Sequence, residues 1–563
     1  MGSFVPRSVA WVLTCVGVIG SALANPAAAA VGTAGGAVRS AAVCTVDAGT
    51  ANAETLPVSK ARLLAFGSYR GPAASRNVDA QRFFDQGLVF GWGFNFAEAV
   101  RSFRAASQLD PACALCRWGV AWAHGPSINH DMRPADVPVA LDAIVQARSA
   151  AAPGSRERAL IDALGTRYSA LPGADQDKLA ISYSAAMRAL TERYADDADI
   201  AVLAAEAAMN AHAYDYWRAD GKPREWTPQI TAWLDRALSL APLHPGAHHY
   251  RIHLFEDSPQ PERALASAQQ LGTLAPMVGH LVHMPSHIYF RLGRYRQAVA
   301  ANDAAVKADR DYAAATGATS DYAIHNLHFL WVSALWSGDS DTATSAADQL
   351  AAAVSASADD AQDGTRQHFL AAPALTQVRL HRWTSLNGDA EAGSATSPYL
   401  RGLLQFARGM AYAMRGDVGA ARAELGSLQR SSQAARDAGL KVKNINRSSD
   451  VLAVARLQLQ SAIAAARNRH AEAVRLARAA VAAEDRLEGD DPPVWPLPAR
   501  HTLGDALLRA GNAAEARKVF SADLRRYPHN CTALAGLAAA TRKQRSSFDA
   551  SAQTPAPRSH CPE

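Results

Sequence analysis

The feature that most constrains the fold is a spacing of small and aromatic residues that returns along the chain. In "AQRFFDQGLVFGWGFNFAEAVRSFRAASQLDP", Ala80 to Pro111, the order is small, aromatic, small, aromatic, small and proline at Gly87, Phe90, Ala99, Phe103, Ala106 and Pro111. That order suits two antiparallel helices: small residues let the backbones approach, aromatics fill the remaining gap, and proline opens the turn to the next unit. The frame returns from Pro245 to Pro276 with Ala264, from Gly279 with Ser286, Tyr289, Gly293, Tyr295 and Ala298, and from Ile324 with Gly338 and Ala343. Later units carry Gly409, Tyr412, Gly416 and Ala421, then Gly504, Gly511, Ala516, Phe520 and Pro528.

This is the tetratricopeptide pattern of about 34 residues, and strand-like alternation is absent. The expected fold is therefore all-α, an α-solenoid of helix-turn-helix repeats. Residues 1–30 read as a secretory signal: Arg7, an apolar run from Ser8 to Leu23, and small residues such as Ala22 and Ala24. The mature protein is thus expected outside the cytoplasm. Residues 31–60 read as a flexible linker, 61–243 as N-terminal repeats, 244–355 as histidine-rich repeats, 356–545 as C-terminal repeats and 546–563 as a tail. Two segments interrupt the grammar, "YDYWRADGKPREWTP" (Tyr214 to Pro228) and the proline-rich "EGDDPPVWPLPARH" (Glu488 to His501). Long insertions on repeat scaffolds serve as binding elements or as spacers.

Composition narrows the partners. Hydrophobic residues make up 49% and charged residues 19% of 563, a globular balance, and the net charge of +5 carries no Lys/Arg stripe, so nucleic acid is not an expected partner. After signal cleavage no apolar run approaches the roughly 20 residues of a membrane span. Five cysteines then remain, Cys44, Cys113, Cys116, Cys531 and Cys561. "CALC" is followed by Arg117 rather than His, which removes haem attachment, and no second CxxC exists to complete a zinc site. A structural disulfide is expected there, with Cys44 as one candidate partner, while Cys531 and Cys561 are placed to tie down the tail.

Nine of the 18 histidines fall between His244 and His328. In the repeat frame, positions 2, 5, 9 and 12 of each first helix share one face, which lines the concave groove. His249 and His253, then His280, His283 and His287, then His325 and His328 all take such positions on three consecutive first helices. His244 and His248 fall on the turn and the packing face and read as structural. Seven packed imidazoles each need a partner when neutral and repel when protonated, and a metal satisfies all their nitrogens at once. The spacing allows two groups of three, His249/His253/His287 and His283/His325/His328, with His280 in reserve. An all-imidazole set in an exported protein suits copper, with zinc or iron as alternatives. One metal with three histidines and an open position is equally compatible.

Glu206 and Glu256 are the nearby carboxylates, as ligands, general bases or orienters of an imidazole. Trp118, Trp122, His124 and Tyr216 are candidates for holding an organic substrate. No HExxH, GxxxxGK[ST], GxSxG or strand-linked dinucleotide motif is present.

Through "FFDQGLVFGWGFNFAEAVRSF", "DYWRADGKPR", "HPGAHHYRIHLFEDSPQPERAL" and "GHLVHMPSHIYFRLGRY", the chain resembles a group of exported bacterial tetratricopeptide-repeat proteins over about residues 80 to 530. The resemblance implies the solenoid and the groove histidines and supplies no reaction. The expected function is a secreted metal-dependent enzyme, a copper oxidoreductase acting with dioxygen on a small organic substrate. The alternatives are a non-catalytic adaptor holding a peptide in the groove, and an extracytoplasmic copper or zinc carrier.

Overall fold

The computed structural model describes residues 61–355, 363–386, 397–489 and 491–548. The expected leader, the linker and the tail beyond Phe548 lie outside the described residues, as do Cys44 and Cys561. The described chain is a succession of α-helices from Val78–Trp92 to Cys531–Phe548, each packed chiefly on its neighbours in sequence. It is an all-α solenoid of tetratricopeptide type. Among the described residues the only paired strands are Lys441–Val442 and Asn446–Arg447, a two-stranded hairpin. No described helix is long and apolar enough to cross a membrane.

The small-aromatic grammar has a direct steric cause. The Phe103 ring is clamped between two helices at glycines: a Cβ on Gly87 would stand 2.6 Å from it, and one on Gly119 would stand 2.5 Å away. The last unit repeats the arrangement, with Phe520 between Gly504 and Gly536. Any side chain at these glycines would push adjacent helices apart, so the aromatic-glycine pairs set the interhelical distance.

Helix starts follow side-chain capping: Asn77, Asn95, Asp197 and Asp417 accept backbone N–H bonds from the first turn. The turns between paired helices share one closure. The residue after a left-handed residue donates to the carbonyl five residues back, as in Asn95 to Phe90, Arg294 to Tyr289, Asp417 to Tyr412 and Asn512 to Leu507. Glycine fills the left-handed position at Gly293, Gly338, Gly416 and Gly511, and asparagine fills it at Asn468. Phe94 and His381 occupy the same position with φ of 56°, where a side chain costs roughly 1–2 kcal/mol.

Two apolar clusters make up most of the core, one from Phe66 to Tyr322 and one from Phe290 to Tyr527. The histidine-bearing helices stand where these clusters meet. Cys113 and Cys116 are bonded to each other, so the "CALC" disulfide is local and its partner is not Cys44.

These turns separate two kinds of glycine. Gly416 has φ of 85° and open space around it, whereas a Cβ on Gly293 would also lie 2.2 Å from the Pro528 carbonyl oxygen. Gly416→Ala is expected to cost about 1 kcal/mol of stability, and Gly293→Ala distinctly more. Equal shifts of the unfolding midpoint for the two variants would show that the Gly293–Pro528 approach does not constrain the fold.

Candidate metal centre

The helix Pro245–Phe255 begins at His244, whose ring nitrogen accepts the Ala247 N–H, with proline at the first helical position. It carries His249 and His253. The following first helix is broken into Gly279–His283 and Pro285–Arg291, because Pro285 has no N–H to give the Leu281 carbonyl. His280 and His283 precede the break and His287 follows it. His325 and His328 lie on Ala323–Ser337.

The ligand atoms of His249, His253 and His280 lie within 4.8 Å of one another, as do those of His283, His287 and His325. The structure thus brings six of the seven expected histidines into two triads, with different membership from the expected grouping. His287 joins His283 and His325, and His280 completes the first triad. His328 belongs to neither: it stands beside Phe369, ring centroids 4.8 Å apart, and neither of its nitrogens has a hydrogen-bond partner among the described residues. The reason is helical pitch. Residues four apart differ by about 40° around a helix and residues three apart by about 60° the other way. His249/His253 and His283/His287 therefore share triads, whereas His280/His283 and His325/His328 are split. The triads adjoin, with His280 and His283 ring centroids 5.9 Å apart and those of His253 and His287 6.3 Å apart.

Outer hydrogen bonds fix which nitrogen faces inward. Asn302 Nδ2 donates to the Ala298 carbonyl, which turns its Oδ1 toward His283 Nδ1 at 2.6 Å. That Nδ1 carries the proton, so His283 Nε2 presents a lone pair. His253 Nδ1 donates to Glu256 Oε1 at 2.8 Å, and His287 Nδ1 lies 2.5 Å from Asp491 Oδ2 and 2.9 Å from Glu256 Oε2. The inward atoms meet at close range: His283 Nε2 is 2.8 Å from His287 Nε2 and 3.1 Å from His325 Nε2, and His249 Nε2 is 3.1 Å from His280 Nε2. A metal–nitrogen bond of about 2.0–2.1 Å sets two imidazole nitrogens of a tetrahedral site about 3.3 Å apart. One proton could pair only two of three converging nitrogens; one metal ion engages all three.

Burial and charge agree with this chemistry. His249, His253, His280, His283 and His287 are at most 2% exposed, and His325 is half-buried. The expected open groove face is therefore covered. Burial, reinforced by the neighbouring imidazoles, holds His249, His280, His283 and His325 well below the ordinary histidine range, in the neutral form a metal needs. Burial alone would raise Glu256, but His253 and His287 outweigh it and hold the carboxyl below its usual range. Glu256 is thus placed as an orienter that reaches one histidine of each triad.

The other expected site residues lie elsewhere. Glu206 is buried against Arg167 at 3.1 Å and Asn210 at 2.5 Å, so its charge is already neutralised. Trp118 and Trp122 stack on each other within the core, and Trp118 lines a separate small cavity with Phe84, Leu88 and Trp92. His124 bonds Asp136, and the Tyr216 hydroxyl donates to the Met209 carbonyl. His244 and His248 are structural, bonded to Asp199 and to Ser267 and the Pro242 carbonyl. The aromatics that do touch the triads are Phe94, Tyr214, Tyr250, Tyr322 and Phe329. Tyr322 lies 4.0 Å from His280 and Phe329 lies 4.8 Å from His287, measured between ring centroids. Asp491 and Tyr214 come from the two interrupting segments noted in the sequence. Asn302 left only a faint signal, an amide inside an apolar helix face.

No protein-family model matches the chain, and no curated protein matches it. Among solved structures it is similar to yeast Tom70, with 13% identity over 84% of this chain and 91% of that one at a TM-score of 0.27. The tetratricopeptide domain of P58(IPK) gives 13% identity over 84% and 99% at 0.22, and human IFIT1 in a dimer with PPP-AAAA gives 12% over 83% and 91% at 0.29.

The Glu206–Arg167 pair is expected to behave as a structural unit. Arg167→Met alone should cost about 3–5 kcal/mol, because it leaves a buried carboxylate unpaired. Adding Glu206→Leu should recover much of that loss in a denaturant unfolding experiment. A double variant no more stable than the single one would show that the two groups are not coupled.

Proposed function

We propose that the chain is an exported copper-dependent oxidoreductase with a paired metal centre, one ion held by His249, His253 and His280 and the other by His283, His287 and His325. The observation that carries this reading is the convergence of two further imidazole nitrogens on His283 Nε2, at 2.8 and 3.1 Å, in a buried site where uncompensated polar atoms are costly. Three imidazoles per ion, with no carboxylate among the inner atoms of either triad, favour copper or zinc over iron or magnesium.

Bound copper would supply one-electron redox chemistry at each position, so two ions together handle an electron pair. The reaction class is the two-electron oxidation of a small organic substrate: the substrate gives up two electrons and two protons, and dioxygen accepts them. The protein's own contributions are specific. Asn302, Glu256 and Asp491 hold the Nδ1 protons of His283, His253 and His287 and so keep each Nε2 aimed inward. Phe94, Tyr322 and Phe329 exclude bulk water around the imidazoles. Burial of the histidines also removes them from contact with a peptide lying in an open groove, which weighs against the adaptor reading.

Purified protein lacking the leader should retain two copper ions per chain by elemental analysis, with redox activity seen by electron paramagnetic resonance. His249→Ala and His283→Ala should each remove one ion, and His328→Phe should remove none. Glu256→Gln should keep both sites but weaken them by about 10–100-fold in a chelator competition. Absence of stoichiometric transition metal in the native chain would sink the reading, and retention of zinc without copper would move it to a redox-inert site.

A further inference from the structure

Phe94 stands where five other turns of this chain place glycine or asparagine, in the left-handed region with φ of 56°. Its turn is closed by the same backbone bond, Asn95 N–H to the Phe90 carbonyl, so nothing in the turn itself calls for a side chain. Strained residues of this kind persist where their surroundings hold them, and they concentrate at functional sites. The surroundings here are the first triad. The Phe94 ring centroid lies 4.7 Å from His249, 5.3 Å from His280 and 5.9 Å from His253, and the ring is 1% exposed. Three imidazoles leave a tetrahedral metal one open position, and Phe94 is in ring contact with all three ligands. His381, the other bulky residue at this turn position, touches Trp383 rather than a histidine.

The second triad has a counterpart ring in Phe329, 4.8 Å from His287, 5.0 Å from His283 and 5.9 Å from His325 between centroids, but Phe329 lies within the helix Ala323–Ser337 rather than on a strained turn. His325 is the half-buried member of that triad, and Asp491, which holds His287, also lines a small cavity with Lys443, Asn446 and Glu488. That cavity reaches the carboxylate behind His287, each triad has one aromatic ring in contact with all its ligands, and only the ring of the first is carried on a strained turn.

We infer that Phe94 is a specificity-determining residue of the centre: it plugs the open position of the His249/His253/His280 site against all but very small ligands. This rests on the paired metal centre proposed above. Replacing the ring by glycine removes the strained side chain and leaves an apolar space of phenyl size beside the first ion, the kind of cavity that takes up a benzene ring.

The test uses full-length mature protein loaded with copper, with azide as a small probe and 4-phenylimidazole as a large one, titrated by absorption and electron paramagnetic resonance. Phe94→Gly and Phe94→Asn, the residues native to the equivalent turns, should retain two copper ions. They should bind 4-phenylimidazole at least about tenfold more tightly than the native chain, with azide affinity unchanged. Copper-loaded variants with the native probe preference would overturn the plug and leave the metal reading standing. Loss of copper from both variants would also overturn it, making Phe94 a packing support for the ligands. Native protein that takes up no copper would overturn plug and centre together.

Discussion

A neutral imidazole in a dry interior has one proton to give and one lone pair to satisfy. The arrangement on which the site depends is six imidazoles held in two triads with one ring nitrogen of each turned toward its neighbours. Three of the six outer nitrogens are spoken for, by Asn302 for His283, Glu256 for His253 and Asp491 for His287. The geometry therefore leaves no choice of tautomer that would let His283 and His287 relieve each other as neutral pairs. The surrounding apolar clusters cannot compensate, and in their low dielectric a buried ring nitrogen without a partner is expensive.

The solenoid makes such an arrangement affordable because each repeat delivers its first helix in the same orientation beside the last. A periodic scaffold multiplies one ligand-bearing face without any long-range design: the glycine–phenylalanine clamps at Gly87/Phe103/Gly119 and Gly504/Phe520/Gly536 set the spacing, and side chains on that face meet their neighbours. Phe329, on a repeat's own first helix, closes part of the face. The rest comes from outside this periodicity, with Phe94 entering from the first unit's turn, Tyr214 from the aromatic insertion and Asp491 from the proline-rich segment, so departures from repeat grammar help convert a surface into an enclosed centre.

The fold was legible because its signals are steric and local: a glycine opposite an aromatic can be read from spacing alone. The histidines were legible as a cluster, and His244 and His248 as structural. Their division was not, because treating positions three and four apart as one face ignores the roughly 100° between them. Applying pitch strictly would have paired His249 with His253 and His283 with His287 and detached His328. Asn302 and Asp491 were beyond reach for another reason: their partners are 19 and 204 residues away in sequence. Glu206 drew attention as a carboxylate near the cluster in sequence, and only the fold reveals Arg167 already beside it.

The break at Pro285 gives the two triads different mechanical characters. His249 and His253 ride one continuous helix, so the bite of that pair is fixed by helical rise and behaves as a rigid jaw. His283 and His287 sit on opposite sides of the break at Pro285, and oxygen tethers on their outer nitrogens hold them in addition to the helical backbone. In the proposed copper centre, a change of coordination geometry would therefore meet an unbroken helix at the first site and, at the second, an interrupted one braced by Asn302, Glu256 and Asp491.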